Sequence, residues 1–291
     1  MAAIEKFPPE LDIEFYKSGF PRLRTAPDDV VRRHYAKHGV TAGVPGSPYV
    51  QRAKFLTLTA AFRPILEIGP YNKPIVSGAG VAYFDILDKN GLDLLAASSS
   101  RVHKGPAPHI DYVSPTGDLS VVDRKFAAAV SSHCIEHQPD LIKHLVDVGS
   151  ILNVGGYYFI LCPDKRYCFD HFIPESDIAA VLEAHHQRRR VHSLESIVRQ
   201  RSMSTHNVAL RHWEGDHGSP GNTAARVAAA LKQHEEADGG YVDVHAWRFT
   251  PQSFREIMTL LYELELSPLR PVRVFDTPKP RVEFAAILEK A

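Results

Sequence analysis

The sequence has few cysteines, no long apolar run and no excess of charge of either sign. Its 291 residues include only Cys134, Cys162 and Cys168, none in a C-x-x-C pair, so neither a disulfide framework nor a cysteine zinc site is expected. Lysine plus arginine and aspartate plus glutamate each number 34, which gives no support for a nucleic-acid-coating protein. No apolar run approaches the roughly 20 residues that cross a bilayer. We therefore expect a cytoplasmic protein with neither a nucleic-acid nor a membrane partner.

A signal pattern and a glycine-rich dinucleotide fingerprint are also missing. The first nine residues lack the charged and then apolar order of a secretory signal. After the first predicted strand there is Gly69 followed by Pro70 and Tyr71, and not the G-x-G-x-x-G of a dehydrogenase. A nicotinamide-dependent dehydrogenase is accordingly the weakest of the enzyme hypotheses.

Two short apolar runs that end in acids are the strongest functional signal. Pro64-Ile-Leu-Glu-Ile-Gly-Pro70 carries an acid and then a glycine, and Tyr83-Phe-Asp85 ends in a second acid. Such runs are typical of buried parallel strands, whose carboxyl ends bind ligands in α/β folds. The glycine lets a ligand approach the backbone, and the second acid can hold a ribose diol. The pattern predicts a cofactor that contains a nucleoside.

Strands and helices alternate along the middle of the chain. The pattern predicts strands at 64–68, 81–84, 110–113, 126–131 and 157–163, and helices at 49–62 and 134–152. This alternation indicates an α/β protein with a parallel sheet. Further on, Thr250 and Pro251 have the N-cap and N1 positions of an amphipathic helix that runs to Tyr262. Apolar runs at 269–275 and 282–288 predict a final hairpin.

The remaining segments suggest three parts. Residues 1–48 form a small helical module that ends in the turn-rich Gly43–Pro48, with a helix predicted from Asp28 or Asp29 to a C′ residue at Gly39. Residues 49–291 form the main domain, and a helical, histidine-rich insertion interrupts it at about 171–245. Half of the 16 histidines lie between His185 and His245.

Residues 60–170 and 245–290 together resemble a class I S-adenosylmethionine-dependent methyltransferase. The most specific parts are Ser131-Ser-His-Cys-Ile-Glu-His137, the stretch at 152–160, and Pro163-Asp-Lys-Arg-Tyr-Cys-Phe-Asp170, which is similar to a P-D-K-R-Y-x-F-D subgroup. The resemblance implies a doubly wound, mostly parallel, seven-stranded Rossmann-like sheet with a reversed C-terminal hairpin strand. It also implies S-adenosylmethionine as the cofactor. The single glycine is a departure from the G-x-G-x-G that many members carry.

The resemblance also implies roles for individual residues. The cofactor would contact the following residues of this chain: Glu67, Gly69 and Pro70 at the methionine part, Asp85 at the ribose, Asp118 and Leu119 at the adenine, and Ser132 and His133 beside the substrate. Asp88 is a weaker candidate for the ribose. The candidates for substrate binding are Asp164, Arg166, Tyr167, Trp213 and Trp247; the two tryptophans are chosen for their rings, and core packing is the alternative role for them.

Methyl transfer to a hydroxyl needs a positioned acceptor and a base for its proton, and histidine has a suitable pKa. His245 is the first candidate for the base, and His133 and His137 come next. Each has an alternative structural role, His245 by packing the insertion on the core. A metal site is not the main expectation, although His133, Glu136 and His137 at i, i+3 and i+4 would share a helix face and could bind one.

The acceptor is the least determined part of the prediction. The N-terminal module, with its D-x-x-x-Y and H-Y-x-x-H-G pattern, resembles short modules beside bacterial glycosyltransferases, which favours O-methylation of a sugar or cell-surface glycan precursor. Methylation of another small molecule at nitrogen or a phenol remains open. So does a non-catalytic nucleotide-binding component of a polysaccharide assembly complex. The N-terminal arm could also serve a homo-oligomer.

Overall fold

The computed structural model describes residues 6–98 and 105–291, so the first five residues of the predicted N-terminal module lie outside the described residues. The strands, in chain order, are β1 Ile65–Ile68, β2 Val81–Asp85, β3 Tyr112–Val113, β4 Phe126–Ser132, β5 Leu152–Pro163, β6 Leu269–Phe275 and β7 Glu283–Lys290. The helices are α1 Ile13–Ser18, α2 Asp28–His34, α3 Arg52–Leu56, α4 Lys89–Ser98, α5 Leu141–Ile151, α6 Ile178–His186, α7 Leu194–Met203, α8 Ala209–Trp213, α9 Thr223–Ala237 and α10 Pro251–Glu263.

The seven strands form one sheet in the order β3-β2-β1-β4-β5-β7-β6. The first five are mutually parallel, and β7 runs antiparallel to both β5 and β6. This is the doubly wound sheet with a reversed C-terminal strand that the resemblance implied, so the fold prediction is confirmed. The strand order reverses between β1 and β4, which is where open α/β sheets bind ligands.

Both faces of the sheet are covered, which explains the nearly continuous apolar strands. Ala129 of β4 packs into a cluster with residues of α5 and α10, whereas Ala128 and Val130 face a second cluster that contains Phe7 and Phe55. All four residues of β1 are buried, including Glu67. An acid in such a position needs polar partners, and they are described below.

Two predicted helix boundaries can be compared with the structure: the start at Thr250 is confirmed, and the end at Gly39 is wrong. Thr250 caps α10 with a capping box in which Ser253 reciprocates, and Pro251 is at N1, as expected. Gly39 does not end the first helix: a π turn, Tyr35–Gly39, and a short helix, Val40–Ala42, follow α2, and Gly43 has the left-handed φ of +66°. Gly39 is required because a Cβ there would lie 2.5 Å from the Tyr35 ring.

The helix predicted from residue 134 begins later than expected. After β4 the chain forms a 3₁₀ turn, Ile135–His137, and α5 starts at Leu141 with Asp140 as its N-cap. Pro139 explains the break, because a residue before proline is disfavoured in the helical region. His133, Glu136 and His137 therefore do not lie on one helix face, and the helical argument for that metal set was wrong.

The N-terminal segment contacts the end of the sheet. Arg273 of β6 donates to the carbonyl oxygens of Phe7 and Pro8, and Tyr35 Oη donates to Asp276 Oδ2 at 2.8 Å. The division of the chain at residue 48 stays a prediction. Within residues 6–98 and 105–291, no helix combines the length and the apolar character that crossing a membrane requires.

Candidate functional site

The turn after β1 lies at the reversal point of the sheet. Gly69 has a φ of +70°, a conformation that strains side-chain-bearing residues, and its N–H donates to Phe84 O of β2 at 2.9 Å. A Cβ at Gly69 would be 3.4 Å from Cys134 Sγ, so the strained φ and not lack of space requires glycine here. Pro70 is buried directly behind it.

Glu67 is a buried carboxylate that is held by backbone N–H groups. Its two oxygens accept from Ile75 N at 2.9 and 3.0 Å, and Oε2 also accepts from Val76 N at 3.1 Å. Burial raises the pKa of Glu67 to about 7, although these hydrogen bonds and nearby Arg52 oppose the rise. By accepting these hydrogen bonds, Glu67 fixes the loop after β1, and its carboxylate also offers negative charge to a ligand.

Asp85 ends β2 beside that loop. Its Oδ2 accepts from Tyr71 N at 3.2 Å, its Oδ1 accepts from Ile86 N at 2.7 Å, and the residue is 8 % exposed. Burial raises the pKa of Asp85, and the two N–H groups oppose that rise. Because each oxygen has a further lone pair, the carboxylate can still accept from a diol. Asp88 instead is exposed and accepts from Gly91 N at the start of α4.

Asp118 lies past β3, where the adenine was predicted. Its side chain accepts from Ser120 N and its Oδ1 is 3.8 Å from Lys143 Nζ. A shallow cleft beside it is also lined by Gly117 and Gln138. The Leu119 side chain is buried in the core, so only its backbone can meet a ligand.

Ser132 is the last residue of β4 and His133 follows it, and both contact a network of charged side chains. Arg52 donates to Ser132 Oγ at 2.8 Å and to Glu283 Oε2 at 2.7 Å, and His133 Nε2 is 2.7 Å from the same Glu283 oxygen. His133 has a φ of +52°, an uncommon value for a residue with a side chain. Partial burial opposes protonation, but Glu283 and Glu136 outweigh it and raise the pKa of His133.

Three histidines surround the buried carboxylate of Glu136, and we call these four residues the carboxylate cluster. Glu136 Oε1 is 3.8 Å from His133 Nδ1, 3.9 Å from His137 Nε2 and 3.9 Å from His245 Nε2. These separations exceed hydrogen-bond length, and both Glu136 oxygens lack a partner among the described residues. The structure therefore brings all three predicted histidines together around one charge that a ligand could share.

His245 is the most firmly oriented of the three. Its Nδ1 lies 2.5 Å from Oδ2 of the buried Asp170, so this nitrogen donates and Nε2 keeps its lone pair. Its backbone N–H also donates to Gln200 of α7. A histidine that a carboxylate holds in this way has the geometry of a general base. The side chain of His245 is 7 % exposed, whereas those of His133 and His137 are 39 % and 25 % exposed.

The predicted substrate residues have internal partners. Arg166 makes a two-pronged ion pair with buried Asp164, with Nε–Oδ1 at 2.9 Å and Nη2–Oδ2 at 2.6 Å. Tyr167 and Trp213 stack face to face at 3.6 Å, so each ring has one face covered. Trp247 is 3 % exposed, lies in the main core, and donates to Gln138 O.

The residues that could bind a metal differ from the predicted set of His133, Glu136 and His137. Ligand atoms of Glu136, His137 and His245 lie within 4.8 Å of one another, so His245 joins the two residues from the 3₁₀ turn. His133 stays nearby through its Nδ1 contact with Glu136.

Sequence reasoning missed the carboxylates that orient these histidines. Asp170, Glu283 and Asp243 contact His245, His133 and His137, in that order, the last across 3.0 Å. Asp170 was visible as the final residue of the P-D-K-R-Y-x-F-D stretch. Glu283 had no local signal, because it reaches His133 only through the pairing of β5 with β7.

No protein-family model matches the sequence, and no curated protein matches it either. Among solved structures, magnesium protoporphyrin IX methyltransferase (ChlM) from Synechocystis PCC 6803 with bound SAH is 9 % identical, with 96 % of this chain and 97 % of that chain covered and a TM-score of 0.37. The CcbJ methyltransferase from Streptomyces caelestis is 14 % identical over 84 % and 97 %, with a TM-score of 0.39. A protein described as a Zn-dependent alcohol dehydrogenase from Rhodobacter sphaeroides is 10 % identical over 78 % and 84 %, with a TM-score of 0.38. Such distant likenesses do not assign an activity.

Proposed function

We propose that this chain is an S-adenosylmethionine-dependent methyltransferase that methylates a hydroxyl of a sugar or cell-surface glycan precursor, with His245 as the general base. The observation that carries the proposal is the position of Asp85. It lies at the carboxyl end of β2, beside the glycine turn after β1, at the point where the strand order reverses. An acid there suits a ribose diol, as the resemblance implied.

The cofactor residues support the proposal as a group. Glu67 lies in β1 and Gly69 follows it, while Asp85 and Ser132 end β2 and β4. Because β2 and β4 both neighbour β1 in the sheet, these residues share one edge. When bound, S-adenosylmethionine would supply a methyl group activated by its sulfonium. The protein would then have to orient the acceptor and exclude water.

The carboxylate cluster supplies the proton chemistry in this proposal. His245 Nε2 would take the proton of the acceptor hydroxyl as the oxygen bonds to the methyl carbon and the sulfur leaves. Asp170 would stabilise the imidazolium that results, because its oxygen is 2.5 Å from Nδ1. Glu136 would add a second negative charge, 3.9 Å from Nε2. His133 and His137 remain the other candidates for the base.

The sugar acceptor rests on the resemblance of residues 1–48 to modules beside glycosyltransferases. Another small molecule with an amine or phenol is the alternative. Cytoplasmic location and a homo-oligomer formed through the N-terminal arm stay predictions.

The first experiment is a calorimetric titration of the purified chain with S-adenosylhomocysteine. We expect a dissociation constant near micromolar, or about 8 kcal/mol. Asp85→Ala should weaken binding by about a hundredfold, because it removes both acceptors for the ribose, an effect of about 3 kcal/mol. Asp88→Ala is the matched control, an acid three residues away that should keep its affinity.

Each outcome of that titration supports or contradicts a specific assignment. No binding by the folded wild-type chain would contradict the methyltransferase proposal and favour a non-catalytic assembly component. Loss in Asp88→Ala with retention in Asp85→Ala would move the ribose to Asp88. With binding established, release of S-adenosylhomocysteine in the presence of nucleotide-sugars and then amines and phenols would identify the acceptor. Activity that survives exhaustive chelation would exclude a metal at Glu136, His137 and His245.

A further inference from the structure

A second group of histidines lies in the insertion, away from the carboxylate cluster. His171 follows β5, His212 is on α8, and His217 is in the loop after α8. We call these three residues the insertion cluster. One nitrogen from each ring lies within 4.8 Å of the corresponding nitrogens of the other two. His212 is buried, and the other two rings are half-buried.

Backbone carbonyls fix which nitrogen of two of these rings is free. His171 Nδ1 is 2.8 Å from Arg166 O, and His212 Nε2 is 3.0 Å from His206 O. A carbonyl oxygen can only accept, so both of these ring nitrogens carry hydrogen in the neutral form. The lone pairs are then on His171 Nε2 and His212 Nδ1. This is the outer hydrogen bond that metal-binding histidines commonly make.

Two of the free nitrogens are close enough to share one ion, since His212 Nδ1 and His217 Nδ1 are 3.1 Å apart. The rings of His171 and His217 are stacked, with centroids 3.6 Å apart and an interplanar angle of 9°. Because an imidazole lone pair lies in the plane of its ring, one of these two rings must rotate for His171 Nε2 to bind the same ion. Two nitrogens bound tetrahedrally to one zinc ion at about 2.05 Å would be separated by about 3.3 Å. The competing explanation is a direct hydrogen bond in which His217 Nδ1 donates to His212.

Neighbouring groups do not offer a fourth ligand. His206 Nε2 donates to Asp216 O, and its Nδ1 accepts from Val208 N. The Asp216 carboxylate accepts from Arg211 and from Gly218 N. Three neutral imidazoles with a remaining position for water is a ligand set that zinc accepts.

We propose that His171, His212 and His217 form a zinc site that fastens the loop after α8 to the segment after β5. The ion would join two segments about 40 residues apart in sequence, which also meet through the stacking of Tyr167 on Trp213 and the ring contact of Phe172 with His217. The proposal is independent of the methyltransferase assignment, because it uses neither the cofactor edge nor the carboxylate cluster.

The test is calorimetric titration of the full chain, freed of affinity tag and of metal, with zinc chloride. We expect one equivalent to bind to the wild-type protein. His217→Ala should weaken this binding by more than about a hundredfold, since it removes a ligand from an exposed loop with little risk to folding. His171→Ala should do the same. His234→Ala, which removes a histidine from α9, is the matched control and should bind as the wild type does.

Two further measurements keep the proposal falsifiable. Zinc should raise the thermal midpoint of the wild-type chain and of His245→Ala, but not that of His217→Ala. Cobalt in place of zinc should give the visible absorption of a tetrahedral site in the wild type but not in His217→Ala. Absence of zinc binding, or equal binding by His217→Ala, would overturn the proposal and leave the His212–His217 hydrogen bond. Binding lost in His245→Ala and kept in His217→Ala would place the metal in the carboxylate cluster.

Discussion

The carboxylate cluster and the insertion cluster use the same residue type in opposite electrostatic surroundings. In the first, His133, His137 and His245 face Glu283, Asp243 and Asp170 and share the charge of Glu136. In the second, His171 Nδ1 and His212 Nε2 each contact a backbone carbonyl oxygen. The histidines of the two clusters therefore differ in the groups that they contact, and not in the residues next to them in the sequence.

In both clusters burial lowers the pKa of the histidines and their hydrogen-bonded partners raise it, but the balance differs. Burial opposes protonation in both clusters, but the carboxylates outweigh it and raise the pKa of both His133 and His137. In the insertion cluster burial dominates and lowers the pKa of His171 and His212. The difference teaches that carboxylate partners outweigh burial and prepare an imidazole to accept a proton. Carbonyl partners also favour the protonated form but do not outweigh burial, and they direct the lone pair of the neutral ring.

The largest expected effect is on turnover in the carboxylate cluster. With an acceptor identified, His245→Ala should lower the rate of methyl transfer by about 10²- to 10⁴-fold, because the hydroxyl loses its base. The affinity for S-adenosylhomocysteine should change by less than about threefold. Initial rates and calorimetry measure the two quantities.

Asp170→Asn should reproduce part of the loss of turnover, because Asp170 positions the ring and stabilises its charged form. Unchanged turnover in His245→Ala would mean that His133 or His137 is the base. His234→Ala controls for the removal of a histidine as such.

A third environment extends the comparison to a histidine with an uncharged side-chain partner. His144 is buried with Nε2 at 3.0 Å from Tyr158 Oη, and burial lowers the pKa of His144 to about 3. Below about pH 6.5 the unfolded chain gains a proton at this residue that the folded chain does not bind. The free energy of unfolding should therefore fall with decreasing pH by up to about 1.4 kcal/mol per unit, until the pH reaches the folded pKa.

His144→Asn removes this titration, so its stability should depend less steeply on pH than that of the wild type. Urea unfolding at several values between about pH 7 and pH 5 measures both slopes. Parallel slopes would show that His144 is protonated in the folded state, and would contradict the expectation that burial keeps this histidine neutral.

The smallest effect concerns one partner of His133. Glu283→Gln keeps the shape of the side chain and removes its charge, so the pKa of His133 should fall. Nuclear magnetic resonance of the histidine ring signals follows this change directly. His171 and His212 should titrate as before, because Glu283 belongs to the other cluster. An unmoved His133 would assign its raised pKa to Glu136 alone.

Much of the fold followed from local patterns. Alternating apolar runs gave the strands, and Thr250 with Pro251 gave the start of α10, since period and capping chemistry act over a few residues. The helix start predicted at residue 134 was wrong. Pro139 disfavours a helical residue before it and Asp140 caps the helix that begins at Leu141, although the apolar pattern runs across both. Gly39 was wrongly predicted to end the helix. Its role is to leave room for the rings of Tyr16 and Tyr35, a packing requirement that the local sequence does not show.

By itself the sequence determined the α/β class, the acids after β1 and β2, and the candidate histidines. Tertiary structure alone decided their partners. Asp170 meets His245 across 75 positions and Glu283 meets His133 across 150, and neither distance leaves a periodic trace in the sequence. The same holds for His171, which joins His212 and His217 only because the insertion folds back over the end of β5. Protonation and metal preference depend on these contacts, because charge and burial act through space.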